Sequence, residues 1–373
     1  MRKKAIVAGH ICVDITPVFP GNIKRSVQDL LQPGKLVHVG AADVHTGGAV
    51  ANTGLAMKFF GTDTALMGKI GTDAFGGMIL DMLRKNGADG DMIISPGLST
   101  SYSVVLAIPG IDRIFLHNPG ANDAFRSEDI PQARLNEAAL LHFGYPPIMR
   151  SMYEQNGVEL VRLLRRAHDA GCAVSLDLAA VDPDSDAGRA DWQEILAQAL
   201  PLVDFFVPSV EELCFMLDRP RYSAWQTRAA GRDITEILEP DRDIRPLADR
   251  CMQLGAKVLL LKCGKPGLYY RTAGAEVLSG IGAKAELDTA AWAGKEGFEK
   301  SFVPDRVLSG TGAGDTSIAA FLSSMLEGCP PEECIQLAAA AGASCVSAID
   351  ALSGLKPLEE LRGRIRCGWK KNE

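Results

Sequence analysis

The apolar and polar positions of this chain repeat with two different periods. Residues 5–9 (Ala5-Ile6-Val7-Ala8-Gly9) form a short continuous apolar run, the kind that a strand buried on both faces needs. Residues 11–46 lean towards β-structure without a steady period, and Val37-His38-Val39 reads as a strand within them. A helix pattern follows: Gly47-Gly48 open it, Val50, Leu55, Met57 and Phe59 supply its apolar positions, and Gly61 closes it. Residues 65–70 read as a strand and 75–85 as a helix. Residues 102–108 and 114–117 read as two strands joined by a turn at Pro109-Gly110.

Beyond Asn122 the rhythm is regular. Strands over 140–143, 173–177, 203–207 and 258–261 are separated by helices over 158–170, near 192–200 and from Glu211 onward. Strands alternating with helices imply right-handed crossovers and a mostly parallel sheet covered on both faces. The β-rich stretches before Thr46 and around 102–117 break that alternation. They are expected to form one small sheet that closes over an end of the core. Residues 219–243, rich in charge and turn formers, and residues 281–300 read as insertions outside the core.

Composition narrows the functional classes. A formal net charge of −7, with no long Lys/Arg run, argues against nucleic acid or an anionic membrane surface as partner. No apolar stretch approaches the roughly 18 residues that span a bilayer. The nine cysteines lack CxxC spacing, and Cys329 and Cys334 flanking Pro330-Pro331 do not match a zinc pattern. They read as reduced thiols of a cytoplasmic protein.

The chemistry concentrates at Ser309-Gly310-Thr311-Gly312-Ala313-Gly314-Asp315, a glycine-rich turn that runs into an amphipathic helix. At such a junction unpaired backbone amides and the helix dipole favour an anion, and glycines allow close approach. One reading is a tight loop whose helix is capped by Asp315. A P-loop would need four residues between its glycines and then Lys-Ser/Thr. A dinucleotide fingerprint would need glycine where Asp315 stands. Neither of these two fits.

Thr311-Gly312-Ala313-Gly314-Asp315 resembles the C-terminal signature of the ribokinase-like (PfkB) carbohydrate kinases. The resemblance implies an anion hole from the amides of Gly312, Ala313 and Gly314. It implies Asp315 as the base that takes the proton of an attacking hydroxyl, chemistry that suits phosphoryl transfer. Gly47-Gly48-Ala49-Val50-Ala51-Asn52, with Gly68 to Gly76 after it, resembles the N-terminal signature and implies Gly47, Gly48 and Asn52 as sugar contacts. The opening strand, ending in Asp14, implies a second anchor for substrate hydroxyls. Arg113 and Asn118 to Asn122 are similar to the family's returning lid segment, with Arg and Asn side chains within reach of substrate. Lys262-Cys263-Gly264-Lys265-Pro266-Gly267 is similar to its ATP loop, which implies Lys262, Gly264, Gly267 and Thr311 on the nucleotide side.

The resemblance covers nearly the whole chain. It implies an α/β, ribokinase-like domain over residues 1–373, with lid segments 11–46 and 99–118 and a homodimer through the lid. The implied activity is ATP- and Mg²⁺-dependent phosphorylation of a small sugar or sugar-like alcohol. The alternative is a catalytically weak relative that binds or senses such ligands. Two departures motivate it. Ser309-Gly310 stands where relatives have Asp-Thr, which removes support for a potassium site. Ser209-Val210-Glu211-Glu212 stands where they have Asn-x-x-Glu, so Glu212 is left as the implied magnesium carboxylate. No basic cluster accompanies Asp14, Gly47, Gly48 and Asn52, which disfavours an already phosphorylated acceptor.

Overall fold

In the computed structural model, residues 3–19, 30, 32–108 and 114–372 are described. The first strand, β1 (Lys4–Gly9), leads into a β-pair, β2 (Cys12–Pro17) and β3 (Ala42–Gly47), and then into the helix Ala49–Phe59. β4 (Asp63–Ile70) and the two-residue β5 (Ile93–Ile94) flank the helix Ala74–Arg84. β6 (Tyr102–Leu106) and β7 (Ile114–Asn118) follow. The core strands are β8 (Leu140–Gly144), β9 (Ala173–Leu176), β10 (Phe205–Phe206) and β11 (Val258–Lys262). β12 (Gly267–Thr272) and β13 (Glu296–Lys300) complete the set.

Among the described residues, nine strands make one sheet in the order β13-β12-β11-β10-β9-β8-β1-β4-β5. It is parallel from β11 to β5, and β12 and β13 join antiparallel at one edge. Side-chain alternation divides the core between its two faces. Ile6, Ala8, Leu259 and Leu261 point into one apolar cluster, while Ala5, Val7, Val258 and Leu260 point into the other. This explains why the strands read as unbroken apolar runs: both faces are covered. Gly9 pairs with Gly68 of β4 and Gly144 of β8, so these strands end at one level. The residues that leave their carboxyl ends are therefore neighbours, and in open parallel sheets this edge is where ligands bind.

A separate sheet, with four strands among the described residues in the order β3-β2-β6-β7, combines the two irregular β stretches. Val37-His38-Val39 is not a strand; β3 begins only at Ala42. The Pro109-Gly110 turn and Arg113 lie outside the described residues.

The two segments read as insertions belong to the core instead. Residues 219–243 form the helix Arg219–Ala229 and two short turns, and Trp225, Ala229 and Ile234 are buried in the first apolar cluster. Residues 281–300 bury Trp292 in the second cluster and end in β13, the edge strand. In both cases a buried tryptophan anchors the stretch to the core.

Candidate active site

A cavity of about 980 Å³ opens along the carboxyl edge of the large sheet. Residues that leave four successive strand ends line it: His10 after β1, Tyr145 after β8, Asp177 after β9 and Ser209 after β10. Lys262, the last residue of β11, continues the row. The small sheet supplies Asp14, Ser103, Phe115 and His117 from the opposite side.

The glycine-rich turn meets this cavity at the start of the helix Ala313–Leu326, with Gly310, Thr311, Gly312, Gly314 and Asp315 on the wall. Gly312 caps the helix at φ 75°, and a β-carbon there would lie 2.2 Å from Cβ of Ala351. Only glycine allows that turn. The Ala313 amide donates to the Gly310 carbonyl at 3.3 Å, and Ala313 itself does not line the cavity.

Asp315 does not cap its own helix. Its side chain is buried and turned towards other elements. Asn52 donates from Nδ2 to Oδ2 at 2.9 Å, Thr53 from Oγ1 to Oδ1 at 3.3 Å, and Tyr145 donates its hydroxyl within 2.9 Å of both oxygens. The Gly47-Gly48 pair sets this up from below. Gly48, at φ 86°, starts the helix that carries Asn52 and Thr53, and a β-carbon on Gly47 would strike the Asp14 carboxylate at 2.1 Å. Asp14 accepts from the Cys12 thiol at 3.3 Å, and burial pushes its carboxyl up despite the hydrogen bonds from Cys12 and Ser103.

The other end of the cavity is charged. Lys262 places Nζ 2.7 Å from each oxygen of Asp177, which is buried, while Lys262 is largely buried. Burial opposes the Lys262 charge, but Asp177, Glu212 and Asp315 outweigh it and raise its pKa. Burial, reinforced by Glu212 and Asp315, pushes Asp177 up against the pull of Lys262. We take the pair as ionised, since a doubly hydrogen-bonded ammonium favours the carboxylate. The Glu212 carboxylate accepts from the Ser209 amide at 3.1 Å in a reciprocal capping box, which orients it beside the cavity. Among the described residues no three His, Cys, Asp or Glu side chains group to hold a metal alone.

The fold thus brings together Asp14, Gly48, Asn52, Glu212, Lys262, Thr311, Gly312, Gly314 and Asp315. Gly264 and Gly267 do not line the cavity. They shape the turn after β11, against Thr235 and the Glu299 carbonyl respectively. Asn122 is buried and bonds the Ile11 backbone in both directions, so it fastens the chain beneath the site and does not face a ligand. Among the cavity residues to which no motif assigned a role are His10, Tyr145 and Asp177. Their shared signal is position, the first polar or aromatic side chain after a buried strand. His10 is buried with neither ring nitrogen hydrogen-bonded among the described residues, and burial together with His117 holds its pKa well down.

The pfkB family carbohydrate kinase profile matches residues 4–356. The chain belongs to this family. As a pfkB-family member it is a carbohydrate kinase, a phosphotransferase. It is 24% identical over 321 residues to the 2-dehydro-3-deoxygluconokinase of Bacillus subtilis, covering 84% of each chain. An uncharacterized sugar kinase of Archaeoglobus fulgidus is 23% identical over 301 residues, covering 81% of this chain and 98% of that one. Among solved structures, the Arabidopsis thaliana ribokinase complexed with ribose and ATP superposes with a TM-score of 0.70 at 20% identity, covering 97% and 98% of the two chains. That likeness bears on the ribokinase-like fold. This kinase also has no helix, among the described residues, long and apolar enough to cross a membrane.

Proposed function

We propose that this kinase transfers the γ-phosphoryl group of ATP in line to a hydroxyl of a small sugar or sugar-like alcohol, with Asp315 as general base. The observation that carries the reading is the buried Asp315 carboxylate, held by Asn52 at the first turn of the Gly312-capped helix and facing the cavity. A base at a helix start can take the acceptor proton while nearby amides meet charge developing on the phosphoryl oxygens.

The acceptor end is assigned to Asp14, Gly47, Gly48 and Asn52, with His10 as an added contact. Its unpartnered nitrogens fit hydroxyl groups that both donate and accept. The phosphate end is assigned to Lys262, Thr311 and the amides of Gly312, Ala313 and Gly314. Freeing the Ala313 amide for phosphate would exchange its 3.3 Å bond to Gly310. Gly264 and Gly267 act on the nucleotide side by shaping the turn that follows Lys262. Glu212 and Asp177 supply carboxylates of the kind that suit Mg²⁺, which binds through one or two carboxylates, water and phosphate oxygens. Bound there, the ion would neutralise phosphate charge.

The small sheet is assigned as a lid over segments 11–46 and 99–118. Its wall residues Asp14, Ser103 and His117 support closure that excludes water. Leu116 is exposed on β7, an edge strand of the small sheet, which suits pairing of two lids in a homodimer. All nine cysteines are free thiols, which suits a cytoplasmic location.

The test is a thermal-shift screen of sugars, sugar acids and nucleosides with an ATP analogue, followed by acceptor-dependent ADP release. One acceptor class should raise Tm by mass action and drive turnover. ADP release that no acceptor accelerates would refute the reading.

A further inference from the structure

Tyr145 donates its hydroxyl to both oxygens of Asp315, at 2.8 and 2.9 Å, and lines the cavity from which an acceptor must come. Asn52 and Thr53 already take one approach to each oxygen. An acceptor hydroxyl must come within about 2.6–3.2 Å of one of these oxygens to give up its proton. The phenol therefore holds the position that the acceptor needs. Its backbone is itself unusual. Tyr145 lies at φ 68° and ψ 38°, in the left-handed region, directly before Pro146. A bulky side chain avoids that region, and a following proline disfavours helical conformations. Such strain persists where the surrounding structure enforces it and gathers at functional sites. Here it accompanies the bond from Tyr145 to Asp315.

We propose that Tyr145 is a place-holder for the acceptor hydroxyl: while the acceptor site is empty it occupies Asp315 and denies that base to water, and an incoming acceptor displaces it. The proposal rests on the phosphotransferase reading above. The side reaction it suppresses is defined. A water oxygen would bond to the γ-phosphorus, and the bond from that phosphorus to the β–γ bridging oxygen would break. The water proton would pass to Asp315, and ADP and inorganic phosphate would leave. Tyr145 is suited to the role because it remains a proton donor: burial, with Asp315 and Asp177 nearby, pushes its pKa well above the usual tyrosine value. As a residue acting through Asp315 it is a positioning residue.

The test compares wild type, Tyr145→Phe, and Tyr145→Phe combined with Asp315→Asn. Phosphate release from ATP and Mg²⁺ is measured without any acceptor. Tyr145→Phe should release phosphate on the order of tenfold faster, as expected if the phenol leaves the base free only about a tenth of the time, because availability rises by the reciprocal of the free fraction. Adding Asp315→Asn should cancel that rise. Removing the competing phenol should also lower the KM of whichever acceptor wild type phosphorylates among D-ribose, D-fructose and 2-dehydro-3-deoxygluconate. Tm is recorded for each variant, and Tyr145→Leu replaces the phenylalanine variant if that one does not fold. Unchanged phosphate release in a folded variant overturns the proposal, as does a rise that survives Asp315→Asn. Acceptor phosphorylation by wild type, measured alongside, reports separately on the phosphotransferase reading.

Discussion

Asn52 donates to Asp315 at 2.9 Å, joining the helix behind the Gly47-Gly48 pair to the helix behind the glycine-rich turn across 263 positions of chain. Each residue belongs to a different short motif, and neither motif alone explains a buried carboxylate. Together they account for it. The amide fixes the orientation of the carboxyl group, while the glycine-capped helix start aims it at the cavity.

Gly312 is the tightest point of this arrangement. A β-carbon would need the left-handed region and would lie 2.2 Å from Cβ of Ala351. Gly312→Ala should therefore lower Tm, because left-handed backbone costs a non-glycine residue roughly 1–2 kcal/mol. It should also reduce kcat more than ATP affinity, since the added methyl would displace the turn's amides, and a missing transition-state donor costs about 3 kcal/mol. Steady-state kinetics decide between the roles: a raised KM for ATP with unchanged kcat would mean ground-state nucleotide binding only.

Potassium should not activate the enzyme. The Ser309 hydroxyl closes on its own turn, donating to Thr311 Oγ1 at 3.0 Å and accepting from the Thr311 amide at 3.1 Å. The Thr311 and Ala351 carbonyls both receive the Cys345 thiol at 3.5 Å. Turnover in sodium, potassium and tetramethylammonium salts of equal ionic strength should agree. A saturable stimulation by potassium alone would contradict this.

Much of this architecture was legible because strand and site signals are local. Unbroken apolar runs such as Val258 to Leu261 mark parallel strands, and Thr311 to Asp315 is dense enough to stand out. What escaped depends on distant partners. Trp225 and Trp292 lie in stretches rich in charge and turn formers, and only the folded core reveals that they are anchors. β13 reads Glu-Gly-Phe-Glu-Lys because it is an edge strand with one covered side. His10, Tyr145 and Asp177 were given no role by any motif. They converge because β1, β8 and β9 end side by side, a property of register and not of sequence interval.

Stability should fall with acid through a buried histidine. His142 shares a hydrogen bond between Nδ1 and Ser175 Oγ at 2.9 Å, and its Nε2 has no partner among the described residues. Burial, aided by the Lys262 charge, lowers its pKa to about 3, against about 6.5 for an unfolded imidazole. Between those values the unfolded chain binds the extra proton. The contribution is thus complete above pH about 6.5 and is lost as pH falls towards about 3. Tm should decline from pH 7 to 5, and His142→Asn should flatten that decline. Equal slopes for the two proteins would contradict the assignment.

The most direct test of the account is the turnover of Asp315→Asn with the acceptor found by screening, alongside its ATP affinity by calorimetry. The carboxamide keeps the shape of the side chain but cannot take the acceptor proton. The account predicts a loss of kcat of about 10²–10⁴-fold, the usual cost of a missing general base, with ATP affinity essentially retained. A variant that turns over at nearly the wild-type rate would contradict it.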